Sequence, residues 1–353
     1  VASIIIPAKN EALHLPATLA ALAAQTDMQG QPVPAGSFEV IVLANNCNDA
    51  TAAVARAQTR AFPQLVLHVA ELCLPAAQAH VGRARRLLMD EACARLELVG
   101  RPHGLIASTD ADTQVAPDWL TANLAELTAG AEAVGGRILT EAVQPEANQV
   151  RGTQLRDAAY HLLRAHLEHL LDPEPADPWP HHHQHFGASL ALTARAYQQV
   201  GGLPEVRFLE DEALWQALRR HDVPVRHSPA VRVVTSARQD GRVEVGLSWQ
   251  LRQWAALHQQ QAEPQVECPT QLAALWRARR QLRGAWALGC PADVLTAQSL
   301  MLGREILSQL LATASAFGQL WEAVLVARRE AGIIVAKVPL SVALAALRLA
   351  VAQ

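Results

Sequence analysis

The chain has 353 residues, 50% of them hydrophobic and 18% charged, enough for one large domain or two modest ones with a buried core. A net charge of -3 gives no global attraction for polyanions, so no nucleic-acid partner is expected. Five scattered cysteines, Cys47, Cys73, Cys93, Cys268 and Cys290, form no C-x-x-C pair, which argues against a disulfide scaffold or zinc module and for a reduced, cytoplasmic protein.

The chain opens on SIII, Ser3 to Ile6, a β-branched run that predicts a buried parallel strand ending at Pro7. A helix is predicted from Leu13 to Ala24, with Leu15, Leu19 and Leu22 on one stripe. FEVIVL, Phe38 to Leu43, predicts the second strand, and the turn cluster Asn45 to Asp49 follows it. Helices at Thr51–Thr59, Val81–Leu98 and Pro117–Thr128 then alternate with strands at Leu65–Val69, Gly104–Ser108 and Ala133–Leu139. This alternation predicts an α/β fold with a doubly wound, mainly parallel sheet, in which ligands sit at the carboxyl ends of strands. Pro7 to Glu11, Asn45 to Asp49 and Asp110 to Asp112 all fall at such ends, so three polar loops are expected on one rim.

The middle of the chain reads as a long helix, Gln149 to Leu171, then a proline-rich loop, Asp172 to Pro180, and the histidines His181, His182, His183 and His185. FGASLALT predicts a strand, Phe208 to His221 carries acids into a helix, and Val223 to Thr235 reads as strand. From Trp249 onward the pattern is helical almost to the end, with no readable motif. The first residues already read as strand, so no signal peptide is expected. The most apolar late stretch, Gly332 to Gln353, is broken by Lys337, Pro339 and Arg348, so no transmembrane segment is expected, while peripheral membrane contact stays open.

Four stretches occur in order: SIIIPAKNE at Ser3–Glu11, EVIVLANNCNDAT at Glu39–Thr51, STDADT at Ser108–Thr113 and VGGLPEVRFLEDEAL at Val200–Leu214. Together they closely resemble family 2 glycosyltransferases of the GT-A fold, over roughly the first 255 residues. The resemblance implies a glycosyltransferase domain over 1–255, with a nucleotide-sugar half at 1–112 and an acceptor half at 113–255; the helical C-terminal extension over 256–353 exceeds the family's core, and a homodimer contact, an acceptor-site lid and membrane-surface contact stay open for it.

The resemblance also implies roles for residues. Pro7, Ala8 and Glu11 would hold the base and ribose of the donor, although Glu11 also suits a helix start. Asn45 stands where the family has an aspartate that contacts the base; an amide still reads a base edge, but the change weakens the case for uridine. Asp49 and Thr51 are read as capping the next helix. Arg83 and Arg86, beside Gly82 at a helix start, would face a diphosphate; the alternative is a solvated basic face. Asp110 and Asp112 match the family's D-x-D, implying Mg²⁺ or Mn²⁺ on hard carboxylate oxygens and a nucleotide-sugar donor, UDP-linked by expectation. Pro117 and Asp118 already serve the next helix, so the two acids are not needed as its cap.

Asp211 is expected to be the catalytic base of an inverting transfer, supported by Glu210, at a helix start where acids are favoured anyway. Gly187 and Ala188 would border the acceptor pocket, with His185 pointing inward and Trp179 stacking on a sugar. Arg238 would steady the leaving diphosphate. The acceptor is expected to be a small or lipid-linked hydroxyl compound. A retaining enzyme, a sugar nucleotidyltransferase and a non-catalytic nucleotide-binding module stay as alternatives; the nucleotidyltransferase is disfavoured because PAKNEALHL contains no glycine to cradle a triphosphate.

Overall fold

A computed structural model describes residues 1–141, 148–238, 245–291 and 294–352. The elements run β1 (Ala2–Ala8), α1 (Leu15–Ala23), β2 (Phe38–Asn45), α2 (Thr51–Ala61), β3 (Val66–Leu72), α3 (Val81–Leu98), β4 (Leu105–Ser108), β5 (Thr113–Val115), α4 (Trp119–Thr128) and β6 (Ala133–Thr140). They continue with α5 (Asn148–Leu171), β7 (Leu190–Thr193), α6 (Ala194–Gln199), α7 (Glu210–Arg220), β8 (Val225–Thr235), α8 (Leu247–Gln259), β9 (Gln265–Glu267) and α9 (Pro269–Ala287). The chain closes with α10 (Val294–Leu300), α11 (Arg304–Thr313), α12 (Phe317–Glu330), β10 (Lys337–Pro339) and α13 (Leu340–Val351). Two compact units result, one of residues 1–143, 184–218 and 224–250, the other of 144–183, 219–223 and 251–353.

The first unit holds an eight-stranded sheet in the order β3-β2-β1-β4-β7-β6-β8-β5. β1 pairs in parallel with β2 and β4, and β2 in parallel with β3, which is the half the β-branched runs foretell. β7 runs antiparallel between β4 and β6, β6 and β8 are parallel, and β5 lies antiparallel on β8. Ile4, Ile6, Val40, Val42, Leu105 and Ala107 form the core with the α1 stripe Leu15, Leu19 and Leu22 and with Trp119 and Leu120 of α4. Buried on both faces, such strands read as continuous apolar runs, and this made them legible. The mixed α/β class, with a large, mostly parallel central sheet, is the one the alternation implied; the GT-A type is what the resemblance implied.

The second unit is helical. Tyr160 and Leu167 of α5 pack with Leu272 and Trp276 of α9 and Leu340, Leu344 and Leu347 of α13. A separate core joins Leu282, Leu300, Leu307, Leu320, Trp321 and Val324. The unbroken helical reading misses β9 and β10, an antiparallel pair in which Lys337 faces Glu267 and Pro339 faces Gln265. Strands of three residues show no alternation for a pattern to catch, and the same holds for β5. Among the described residues, no helix is long and apolar enough to cross a membrane.

Candidate active site

Because β1, β2 and β4 are parallel neighbours, their exits at Ala8, Asn45 and Ser108 open onto one rim. Pro7 and Ala8 are the last residues of β1 and Asn45, buried, is the last of β2. Asn10 and Asn46 take left-handed backbone at φ 56° and 51°, which asparagine tolerates better than most residues. The two loops are stitched together: the Asn48 N–H donates to Asn10 Oδ1 at 2.8 Å, the Glu11 N–H to Thr51 Oγ1 at 2.8 Å and the Ala12 N–H to Asp49 Oδ2 at 3.2 Å. Asp49 also accepts the Thr51 N–H at 3.0 Å where α2 begins, so it serves helix start and loop together.

At the exit of β4 the Thr113 N–H closes a tight turn on the Asp110 carbonyl at 3.1 Å, and Thr18 of α1 donates to the Ala111 carbonyl at 2.9 Å. Helix α4 starts at Trp119 with Asp118 as its N-cap residue, and Asp110 and Asp112 lie outside it. Both acids meet arginines. Asp110 Oδ1 accepts from Arg85 Nη2 at 3.0 Å, and Asp112 Oδ2 lies 2.8 Å from Arg238 Nη2. Arg238 grips Glu11 as well, with Nη1 donating to Oε2 at 3.1 Å and Nη2 to Oε1. Burial and the charge of Asp110 push the Asp112 carboxyl up to about 6, against the pull of Arg238.

Of the cations that open α3, Arg83 pairs with Glu205, while Arg86 pairs with Asp90 at 2.8 Å and donates to the carbonyls of Gly201 and Leu203. The one that enters the acid cluster is Arg85, only 3% exposed. Its Nε donates to Glu210 Oε1 at 3.0 Å, its Nη1 to the Gly187 carbonyl at 3.0 Å and to Ser108 Oγ, and its Nη2 to Asp110. Burial opposes its charge, yet Asp110, Glu210 and Asp211 together hold its pKa above the ordinary guanidinium value. A sequence signal for Arg85 did exist: it shares the buried stripe of α3 with Leu88, Met89, Ala92 and Leu96. A cation on an apolar stripe needs internal partners.

Helix α7 starts abruptly after Leu209, a non-glycine residue at φ 56°. Asp211 Oδ2 accepts the Gly187 N–H at 2.9 Å and its Oδ1 the Glu212 N–H at 2.8 Å. Burial pushes the Glu210 carboxyl up and Arg85 pulls it back, while Asp211 adds to the rise. Gly187 and Ala188 lie in the short 3-10 turn Gly187–Ser189 that precedes β7. A side chain at Gly187 would overlap the Arg85 guanidinium, so glycine is what lets that cation reach the turn. His185 Nε2 meets Glu212 at 2.8 Å, and its ring stacks on Trp215 at 4.5 Å. Trp179 belongs to the second unit, where it stacks on His166 at 4.0 Å; His181, His182 and His183 are in that unit too.

A divalent ion fits the Asp110-Asp112 turn by donor chemistry: two hard carboxylates in one turn, one of them pushed toward neutrality by burial and by the charge of the other. Among the described residues, no group of three or more His, Cys, Asp or Glu would hold an ion unaided. Magnesium-type ions suit such an incomplete set, since they keep waters and share substrate phosphates.

The profile described as glycosyl transferase family 2 matches residues 3–186, just over half of the chain. The chain belongs to that family and is a glycosyltransferase, of the kind that draws on a nucleotide-sugar donor. No curated protein matches it. Among solved structures, residues 1–349 of S. aureus TarS are similar at 14% identity and a TM-score of 0.44, covering 94% of this chain and 91% of that one. The mannosyltransferase PcManGT from Pyrobaculum calidifontis, solved with GDP-Man and Mn²⁺, is 18% identical with a TM-score of 0.49, covering 99% of this chain and 79% of its own.

Proposed function

We propose that this protein is a metal-dependent, inverting glycosyltransferase that moves a sugar from a nucleoside diphosphate, UDP by preference, to a hydroxyl acceptor, either a small molecule or a lipid-linked one. Residues 1–112 serve the donor and 113–255 the acceptor. Glu11 and Asn45 read the nucleoside, and Asp110 and Asp112 hold Mg²⁺ or Mn²⁺. The ion, when bound, neutralises the diphosphate so that it departs as a weaker base. Arg238, already beside Asp112 and Glu11, steadies the phosphate charge.

Asp211 is the base. In a single displacement the acceptor oxygen forms its bond to the anomeric carbon and gives its proton to Asp211. The bond from that carbon to the phosphate oxygen breaks, and its electron pair leaves with the diphosphate. Two backbone N–H groups hold the Asp211 carboxylate, which leaves lone pairs to accept the proton. The observation that carries this reading is the joining of Asp110 to Glu210, neighbour of Asp211, through Arg85.

The test is release of nucleoside diphosphate from a panel of UDP- and GDP-sugars, with Mn²⁺ and with chelator. Turnover is expected with Mn²⁺ only, and Asp211→Asn is expected to lower it by about 100-fold or more. Full activity in Asp211→Asn would sink the assignment of the base.

A further inference from the structure

We propose that Arg85 is the positioning residue of this site: it sets the spacing between the donor-side acid Asp110 and the turn that carries Glu210 and Asp211. The inference rests on the reading of Asp211 as the base, and concerns how that base is held in place.

The argument begins with cost. A buried guanidinium is tolerated only when its donors are met by acceptors in good geometry. Here one planar fork reaches a side chain beyond β4 (Asp110), the last residue of β4 (Ser108), the carbonyl of the Gly187 turn and the first residue of α7 (Glu210). Three separate stretches of chain, the β4 exit, the Gly187 turn and the start of α7, therefore share one rigid group. The Gly187 peptide is held from both sides: its carbonyl accepts from Arg85 at 3.0 Å and Ser108 at 2.9 Å, and its N–H donates to Asp211 at 2.9 Å. Arg85 thus reaches Asp211 by two routes, through the Gly187 peptide and through neighbouring Glu210. Lysine keeps the charge but is a point donor without the fork. Charge adds to the geometry, since Asp110, Glu210 and Asp211 surround a single cation and would repel one another without it.

The experiment is a double-mutant cycle in the full chain, read as nucleoside diphosphate release from the best donor of the UDP- and GDP-sugar panel. Arg85→Lys is expected to lower kcat on the order of 100-fold, as displaced catalytic groups do. On the Asp211→Asn background the same change should cost less than about threefold, because a base already lost cannot be misplaced. Affinity for UDP or GDP with Mn²⁺ should stay within about threefold, since the charge beside Asp110 is retained. Gly187→Ala, which displaces the guanidinium without altering any charge, should repeat the pattern; circular dichroism and the urea midpoint check that each variant is folded.

Equal losses on both backgrounds, a fall in nucleotide affinity matching the fall in kcat, or unimpaired turnover in folded Arg85→Lys and Gly187→Ala would each overturn the proposal while leaving Asp211 in its role. Unimpaired turnover in Asp211→Asn would overturn the base assignment, and this inference with it.

Discussion

Each compact unit buries an arginine among acids, and the two arrangements differ in a way that separates a site from a strut. In the helical unit Arg279, on α9, pairs with Asp172 and with Glu168 at 2.9 Å, and lies 5.7 Å over the Trp321 ring. Arg283 joins it, 2.9 Å from Glu174 and 4.6 Å over Phe317. The side chain of Asp172 is only 2% exposed, so no ligand reaches the centre of this network. In the sheet unit the arginine is as deeply buried, but the Asp110 side chain it holds is 36% exposed and sits in a loop at a strand end. A buried ion pair is therefore no mark of function. An ion pair whose acid keeps one face open, on a rim fed by parallel strands, is one.

Three substitutions test the contrast. The largest effect on function is expected from Asp112→Asn, which should weaken Mn²⁺ binding at least about 10-fold by calorimetry, given that even supporting residues of metal sites carry that much. Undiminished Mn²⁺ affinity would put the open acids in the same class as the sealed ones. Arg279→Met should leave Mn²⁺ affinity alone and lower stability by about 3–5 kcal/mol in urea unfolding, because it removes the guanidinium that binds both Glu168 and buried Asp172 and leaves Asp172 only Arg283 at 3.4 Å. A stability loss under 1 kcal/mol on the order expected of surface pairs would show that the strut is not one.

The smallest effect concerns Asp157 of α5, whose carboxyl burial pushes up to about 6. Its folded pKa lies above its unfolded value, so its contribution to stability is complete at low pH and is lost as the pH rises through about 6. Urea midpoints of Asp157→Asn, compared with wild type between pH 4 and 7, should fall less as the pH rises, with a difference of about 1–2 kcal/mol at pH 7. Parallel curves would mean the carboxylate is solvated when charged.

The sheet was legible wherever burial on both faces wrote an uninterrupted apolar run: Ser3 to Ile6 lies within β1 and Phe38 to Leu43 within β2. The D-x-D turn and the acids at the start of α7 were legible as short local patterns. β5, β9 and β10 were not, being too short to carry a period. Proximity to Gly82 singles out Arg83 and Arg86, whereas the buried stripe of α3 singles out Arg85. Arg83 faces Glu205, a partner that only the packed chain supplies, while Arg86 faces Asp90, its i,i+4 neighbour on α3.

By itself the sequence determined the strand-helix alternation, the family and the acids on offer, since each is written in a contiguous stretch of residues. Tertiary structure decided which cation meets which acid. Arg85 and Glu210 are separated by 125 positions and Arg238 and Glu11 by 227, and no local pattern records a pairing that forms only when distant loops close on one rim.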